Sequence, residues 1–324
     1  MESLKAHLAV EMTGSNRQEP WEACRLGKRL TPSPGPSEVL VRVLCTPVNP
    51  ANVFALQGLY PTWRPKEYPC VQGIEGMGII EQLGEDVHNV SEGQRVIPLS
   101  DNAYQTGQGL WQEFIVVPAT RVIPVPDFIP NEVAAQFIVN PWTVIGIFRT
   151  LATPKEEYIL QTAAASVLGR MFIQYAHHQG VKTINLVRRN EHIEELKALG
   201  ADEVINFTDG DIVAKVREIT GGRMAYGAID CVGGEHTKVV VESVRDGGTA
   251  LIYGALAGTD LKAGILDLIF RGQFQELVAH AMSLLGKKVI EPLVGQKFRF
   301  QDFKDAIKKS LEPQHGGKVL LVSE

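Results

Sequence analysis

The sequence predicts an α/β protein in which a β-rich domain precedes a doubly wound parallel-sheet domain. Three observations carry this. The chain has 324 residues, about two domains at roughly 150 residues each. Up to about Pro126, short apolar runs are punctuated by glycine and proline, the pattern of short strands and turns in a barrel or sandwich. From Tyr158 onward, strand-like and helix-like runs alternate. That alternation builds βαβ units and a parallel sheet covered on both faces.

Composition narrows the class. Hydrophobic residues are 44%, charged residues 21% and the formal net charge is −5. These values exclude a disordered or collagen-like chain. An isoelectric point near 6.0 argues against bulk nucleic-acid binding, which needs a basic face. Cys24, Cys45, Cys70 and Cys231 show no CxxC spacing and read as free thiols in a reducing compartment. The most apolar stretch, Ala134 to Phe148, is interrupted by Gln136, Asn140 and Pro141, so no membrane span is expected. The start carries Glu2 and Glu11 and no apolar run, unlike a secretory or transit leader. A cytoplasmic location is expected, with a mature mitochondrial-matrix chain left open.

The elements follow in order. Val39–Leu44 and Leu110–Val117 are strand-like, with Trp111 and Phe114 expected in a strand core. Asn131 is expected to cap a helix, with Glu132 in its first turn. Then come strand Tyr158–Ala163, helix Val167–His178, strand Thr183–Val187, helix Glu191–Leu199 ended by Gly200, and strand Glu203–Phe207. Helix Asp211–Ile219, strand Gly227–Val232, helix His236–Val244 and strand Thr249–Tyr253 complete the alternation. A helix Phe274–Leu285, a strand near Glu291–Phe300, a helix Asp302–Leu311 and a strand Lys318–Val322 close the chain. His177 and His178 are expected at a helix C-terminus, where imidazole suits the partial negative charge.

In a doubly wound sheet, ligands sit beyond the carboxyl ends of the strands. The first strand-to-helix turn reads Gln161-Thr-Ala-Ala-Ala-Ser-Val-Leu-Gly-Arg170. Small residues there let backbone N–H groups approach a pyrophosphate at the helix N-terminus. Of the G-x-G-x-x-G pattern, Gly169 survives in the third position; Ala165, Ser166, Val167 and Leu168 stand around it. A small-residue turn of this kind also occurs in α/β proteins that bind no nucleotide. The next strand ends in Arg188-Arg189-Asn190, where an NAD site would place an acid. A guanidinium pair holds a 2′-phosphate, so the position favours NADP(H) over NAD(H). A solvated pair at a strand end is the plainer alternative.

Taken together, these residues resemble the medium-chain dehydrogenase/reductase superfamily over nearly the whole chain. Within it the sequence is most similar to the mitochondrial-type 2-enoyl-CoA/acyl-carrier-protein reductases and their quinone-oxidoreductase-like bacterial relatives. The resemblance rests on Val48-Asn-Pro-Ala-Asn52, Leu56-Gln-Gly-Leu-Tyr60, Gly73-Ile-Glu-Gly76, Gly109-Leu-Trp-Gln-Glu-Phe114, Val139-Asn-Pro-Trp-Thr143, the 161–174 loop-helix, Thr183–Arg188 and Gly316-Gly-Lys-Val-Leu320. It implies a GroES-like catalytic domain, residues 1–127 completed by 289–324. A Rossmann domain over 128–288 lies between, and the cleft is the active site. It also implies a homodimer.

Zinc-holding relatives carry Cys-His near Cys45 and Gly-His-Glu near Gly73. Here Thr46 follows Cys45, and Ile74 stands where the histidine would be. A catalytic zinc needs about three protein ligands, so no metal is expected. The resemblance implies instead that Tyr60 donates a proton or stabilises an enolate. On the residues alone, Tyr60 would read as a half-buried tyrosine in the Tyr60-Pro61 turn. Asn140 matches a position beside the nicotinamide, though it also suits a helix boundary before Pro141. Tyr253, Gly254, Ala255 and Leu256 end the fifth Rossmann strand, so their backbone is expected to border the cofactor. Lys318 matches a position that approaches the cofactor from the tail, where an isolated lysine is otherwise simply solvated. The Lys304–Lys309 cluster reads as a solvated helix face that would suit an acidic acyl carrier protein.

The chain also departs from the family. Asn52 replaces a frequent acid. Val167 replaces a frequent glycine, which is expected to displace the pyrophosphate slightly. After Arg271-Gly272 relatives continue with an aromatic strand that builds the dimer sheet, whereas Gln273 here opens a helix; losing that strand would leave an open edge. The function implied is NADPH-dependent reduction of an α,β-unsaturated acyl thioester. The alternatives are a quinone or small-enone reductase and a non-catalytic NADPH-binding interaction protein.

Overall fold

The computed structural model describes residues 6–60, 64–100, 103–257, 281–313 and 316–323. The chain packs as two units, Met1–Val139 with Leu293–Glu324, and Asn140–Pro292.

The first unit opens with β1 (Ala6–Met12), β2 (Cys24–Leu30), β3 (Glu38–Pro47), helix α1 (Pro50–Leu56) and β4 (Cys70–Val71). It continues with β5 (Met77–Leu83), β6 (Arg95–Pro98), the short α2 (Ala103–Thr106), β7 (Phe114–Pro118), β8 (Val122–Pro124) and α3 (Asn131–Ala134). Strands β2, β1 and β4 form one small sheet; β3 is the hub of the larger one, pairing antiparallel with β5 and β7. Two sequence expectations need correction here. The strand begins at Phe114, not Leu110. Residues 110–111 bond elsewhere: Leu110 N–H donates to Gly73 O at 2.9 Å and Trp111 N–H to Gln72 O at 2.7 Å. Trp111 is fully buried off the strand, its indole N–H donating to Pro47 O at 3.2 Å. Asn131 does not cap α3: Pro130 holds the cap position, and Asn131 Oδ1 accepts from Arg95 Nε at 3.0 Å.

The second unit is led by α4 (Val139–Leu151). β9 (Tyr158–Gln161), α5 (Val167–Gln179), β10 (Lys182–Val187), α6 (Ile193–Ala198) and β11 (Glu203–Asn206) come after it. Next are α7 (Ile212–Ile219), β12 (Ala225–Asp230), α8 (Glu235–Glu242) and β13 (Val244–Ile252). All pairings are parallel, in the order β11-β10-β9-β12-β13. The apolar runs of these strands bury Leu160, Ile184, Leu186 and Ile205 against Val216 and Val240 from the helices, as a sheet covered on both faces requires. Helix α5 ends at Gly180, whose φ of +73° makes the left-handed cap that glycine adopts without strain. The helix expected over Glu191–Leu199 begins as a 3-10 turn, Asn190–His192, before α6. Most of the expected helix Phe274–Leu285 lies outside the described residues, though 281–286 are helical.

The tail, β14 (Val294–Arg299), α9 (Phe303–Leu311) and β15 (Lys318–Val322), belongs to the first unit. β15 runs antiparallel to β3, pairing Leu321 with Thr46, and β14 lies outside it. Phe303, Ala306 and Ile307 of α9 complete a core with Val10, Leu56 and Trp111.

This unit is fastened by a buried polar chain. Lys318 Nζ donates to Asn49 Oδ1 at 2.7 Å, and Asn49 Nδ2 donates to Glu75 Oε1 at 2.9 Å. Glu75 Oε2 accepts from the backbone N–H of Ile138 at 3.1 Å and of Val139 at 2.8 Å. Glu75 is 1% exposed and Lys318 5%. Burial raises the Glu75 carboxyl above its usual range, against the pull of Lys318 and of the hydrogen bonds from Val139, Asn49 and Ile138. Burial likewise pushes Lys318 down to about 8, against the pull of Glu75.

Lys318 and Glu75 are buried opposite charges joined through Asn49, and removing one leaves the other without its compensating charge. Lys318→Met and Glu75→Gln should therefore each lower the unfolding free energy by about 3–5 kcal/mol at pH 7. The double variant should lose clearly less than the sum of the two, as read from urea midpoints. Between pH 8 and the ordinary lysine value of about 10.4, the unfolded chain keeps the Lys318 proton that the folded chain has shed. Wild type should gain stability relative to Lys318→Met as pH rises across that window.

Candidate active site

The turn after β9 is shaped by what its residues exclude. Thr162 N–H donates to Ile229 O at 3.1 Å and Ala164 N–H to Leu186 O at 3.2 Å, which pins the loop between neighbouring strands. Ser166 is the N-cap of α5, its hydroxyl accepting from Gly169 N–H at 3.1 Å. A Cβ on Gly169 would stand 2.6 Å from Ala164 O and 2.8 Å from Ala163 O, so only glycine lets the helix pack this close to the loop. The first N–H groups of a helix have no intrahelical partner. With that of Gly169 taken by Ser166, those of Val167 and Leu168 are the donors an anion would meet. Gln161, buried in β9, reaches across to Gly169 O at 3.1 Å and to Asn185 Oδ1 at 2.6 Å, tying the loop to β10.

At the end of β10, Arg188, Arg189 and Asn190 are exposed. Arg189 lies 3.5 Å from Glu191 Oε1, and Asn190 Oδ1 accepts from Asn206 Nδ2 at 2.8 Å. Past β13, Tyr253 N–H bonds Asp230 O at 2.9 Å and Leu256 N–H bonds Cys231 O at 3.2 Å. The 253–256 segment thus lies along the carboxyl end of β12. Burial and the neighbouring Cys231 thiol hold the Tyr253 phenol well above its ordinary value. Asn140, 5% exposed in the first turn of α4, buries a side-chain NH2 that has no hydrogen-bond partner among the described residues. A buried donor left unsatisfied is costly, and an incoming carbonyl oxygen would relieve it.

Sequence reasoning missed two groups that shape this unit. Arg170 is buried, donates to Ala165 O at 3.0 Å and forms a bidentate pair with Glu195, locking the loop to α6. Its place directly after Gly169 was the available signal. Asp230, fully buried at the end of β12, accepts from Thr162 Oγ1 at 2.7 Å, Thr237 Oγ1 at 2.8 Å and Val232 N–H at 2.8 Å. Its partners come from three separate segments, which no local pattern announces.

In the first unit, Tyr60 lies past the exit of α1, half-buried, with its ring 6.1 Å from that of Phe54. Burial raises its phenol above the ordinary value. Asn52, which replaces the frequent acid, accepts from Asn49 N–H at 3.0 Å, so an amide oxygen serves at the start of α1. Lys318 is not a solvated cation; its ammonium is turned inward onto Asn49. Burial pushes the Cys45 thiol up to about 12. Thr46 donates to Glu75 O at 2.6 Å, and both Glu75 carboxylate oxygens are already engaged. Among the described residues, no three His, Cys, Asp or Glu side chains gather into a metal-holding group. All four cysteines are free and buried, and no described helix is long and apolar enough to cross a membrane.

Comparison with known proteins agrees with this architecture. Residues 35–127 match the alcohol dehydrogenase GroES-like domain family, and residues 167–288 match the family described as zinc-binding dehydrogenase. The mitochondrial enoyl-[acyl-carrier-protein] reductase of Caenorhabditis elegans is 31% identical over 83% of this chain and 78% of its own length. The Arabidopsis thaliana protein of the same name is 31% identical over 72% of this chain, a match that spans 62% of that relative. A mycobacterial protein, Rv1454c, solved with NADPH, superposes with a TM-score of 0.82 at 26% identity, covering 97% of this chain and 99% of that one. The Escherichia coli quinone oxidoreductase solved with NADPH gives a TM-score of 0.82 at 24% identity, over 98% of this chain and all of that one. With a GroES-like first unit, a doubly wound second unit and these relatives, the chain belongs to the medium-chain dehydrogenase/reductase superfamily, on the side of the enoyl reductases and quinone oxidoreductases.

Proposed function

We propose that this chain is an NADPH-dependent reductase of α,β-unsaturated acyl thioesters. The observation that carries the reading is Tyr60, a phenol that burial keeps protonated beyond its ordinary range. NADPH, when bound, supplies the hydride that adds to Cβ. The electron pair of the double bond then moves toward the thioester oxygen. Something must stabilise that enolate and put a proton on Cα. Tyr60 is assigned one of these tasks, as proton donor to Cα or as hydrogen-bond donor to the enolate oxygen, since a phenol stays protonated and donates hydrogen bonds. The proton it gives up returns from solvent, leaving the saturated thioester and NADP.

The remaining residues hold the cofactor. The loop Ala165, Ser166, Val167, Leu168 and Gly169 takes the pyrophosphate on backbone N–H groups. Arg188, Arg189 and Asn190 take the 2′-phosphate. The backbone of Tyr253, Gly254, Ala255 and Leu256 borders the cofactor, and the orphaned NH2 of Asn140 meets the carboxamide or the substrate oxygen. The names of the relatives support a thioester substrate. A second reading, a quinone or small-enone reductase, is favoured by the name of a structural neighbour. A homodimer and a reducing compartment are part of the proposal. An acyl carrier protein as donor of the substrate is supported by the names of the same relatives; on the basic helix face, Lys304 pairs with Glu22 and Lys309 with Glu312.

Oxidation of NADPH by a short trans-2-enoyl-CoA, measured beside a quinone and beside NADH, should be fast for the thioester with NADPH. Turnover of quinone alone would select the second reading. Tyr60→Phe should lower kcat by about 10²-fold, and an unchanged rate would remove Tyr60 from the chemistry. The protonated phenol is the active form, so the alkaline limb that Tyr60 imposes on kcat should lie above the ordinary phenol value of about 10. Arg188→Glu should weaken NADPH binding far more than NADH binding, and equal losses would overturn the 2′-phosphate assignment.

A further inference from the structure

The amide of Asn190 sits where the proposed 2′-phosphate site needs a donor, and an amide has two ends. If its oxygen faced the phosphate, the contact would be repulsive. The second unit fixes which end faces out, starting from a group whose polarity is not in question. The backbone N–H of Thr208 donates to Asn206 Oδ1 at 3.1 Å, and the Thr208 hydroxyl lies 2.9 Å from the same oxygen. A backbone N–H is a donor and nothing else, so the oxygen end of Asn206 is the one at Thr208. Its NH2 end is therefore the one that reaches Asn190, donating to Oδ1 at 2.8 Å. Asn190 thus spends its oxygen on Asn206 and turns its own NH2 away from it. Asn206 is 7% exposed at the end of β11, and Asn190 is exposed beside Arg188 and Arg189. The polarity of a buried amide is relayed to the surface.

We propose that Asn206 is a specificity-determining positioning residue: through Asn190 it presents an N–H donor to the 2′-phosphate of NADPH. This rests on the reading of residues 188–190 as the 2′-phosphate site. Asn206 does not itself touch the cofactor. Its contribution belongs to NADPH, since NADH carries no phosphate at that carbon. Asn206→Asp keeps the shape and the acceptor for Thr208 but removes the donor to Asn190. The Asn190 amide would then turn over, giving its NH2 to the new carboxylate and its oxygen to the phosphate.

The test is direct binding of NADPH and NADH, without substrate, by fluorescence titration of wild type, Asn206→Asp, Asn206→Ala, Asn190→Ala and the Asn190→Ala/Asn206→Asp double variant. Asn206→Asp should raise the Kd for NADPH about tenfold, the size of one hydrogen bond to a charged group, and leave that for NADH unchanged. Asn206→Ala, which adds no charge, should raise it several-fold in the same selective way and serves where the aspartate variant fails to fold. In the Asn190→Ala background, Asn206→Asp should add little, because the relay is already cut. A full further loss in that background means a direct field effect and overturns the proposal. So does unchanged NADPH affinity in Asn206→Ala, or a parallel loss of NADH. Failure of the underlying reading looks different: Asn190→Ala and Arg188→Glu would then both leave the preference for NADPH over NADH intact.

Discussion

A carboxylate cannot stay in a protein interior unless its oxygens are satisfied and its charge is answered. Glu75 meets both conditions by drawing together four stretches that are far apart in sequence. The amide comes from Asn49 at the start of α1, the cation from Lys318 in the tail, two N–H groups from the entry to α4, and the carboxylate from the turn before β5. The return of the tail is therefore more than the addition of strands β14 and β15 to a sheet edge. It delivers, by way of Asn49, a positive charge near the buried Glu75 carboxylate. The same site fixes the start of the helix whose far end leads to Tyr60, so the position of the proposed acid is tied to a buried polar chain some distance from it.

This arrangement also changes how the zinc-dehydrogenase likeness should be understood. Around the Cys45 and Gly73–Gly76 segments the described side chains are engaged in protein hydrogen bonds. Thr46 is spent on a backbone carbonyl, and Cys45 is a buried thiol. The positive charge facing Glu75 is an ammonium held by an amide. Family membership tracks the fold and the packing of segments, whereas the chemistry tracks the side chains that occupy them.

Much of the second unit was legible because its information is local. Strand and helix runs alternate with apolar faces of the right period, Ser166 and Gly180 mark the two ends of α5, and Gly169 stands out in a loop of small residues. The phosphate-type turn and the arginines after β10 could be placed on that frame. What escaped is what depends on partners remote in sequence. Trp111 lies in a strand-like run, yet its segment bonds residues 72–73, nearly forty positions away. Asn131 has the chemistry of a cap, yet Arg95 takes its side chain. Lys318 looks solvated in a glycine-rich tail, and no pattern within the tail reveals the carboxylate it answers. The roles of Arg170, Asp230 and Asn206 are set in the same way, by hydrogen bonds across the carboxyl ends of β9 to β12.

The choice between thioester and quinone turns on the proton transfer after hydride delivery, and the fold does not decide it. A quinone reduced by hydride puts its charge on oxygen, which solvent can protonate. An enoyl thioester needs a proton at carbon, where delivery from bulk water is slower and less directed, so a positioned acid matters more. That acid must be neutral at the working pH. A phenol meets this need at its ordinary value of about 10, and burial of Tyr60 strengthens its hold on the proton. A buried phenol also makes a better enolate partner than a solvated phenol, since a hydrogen bond in a poorly hydrated setting is electrostatically stronger. The proposed role of Tyr60 bears on that choice, while the loop after β9 and the arginines after β10 would serve either chemistry.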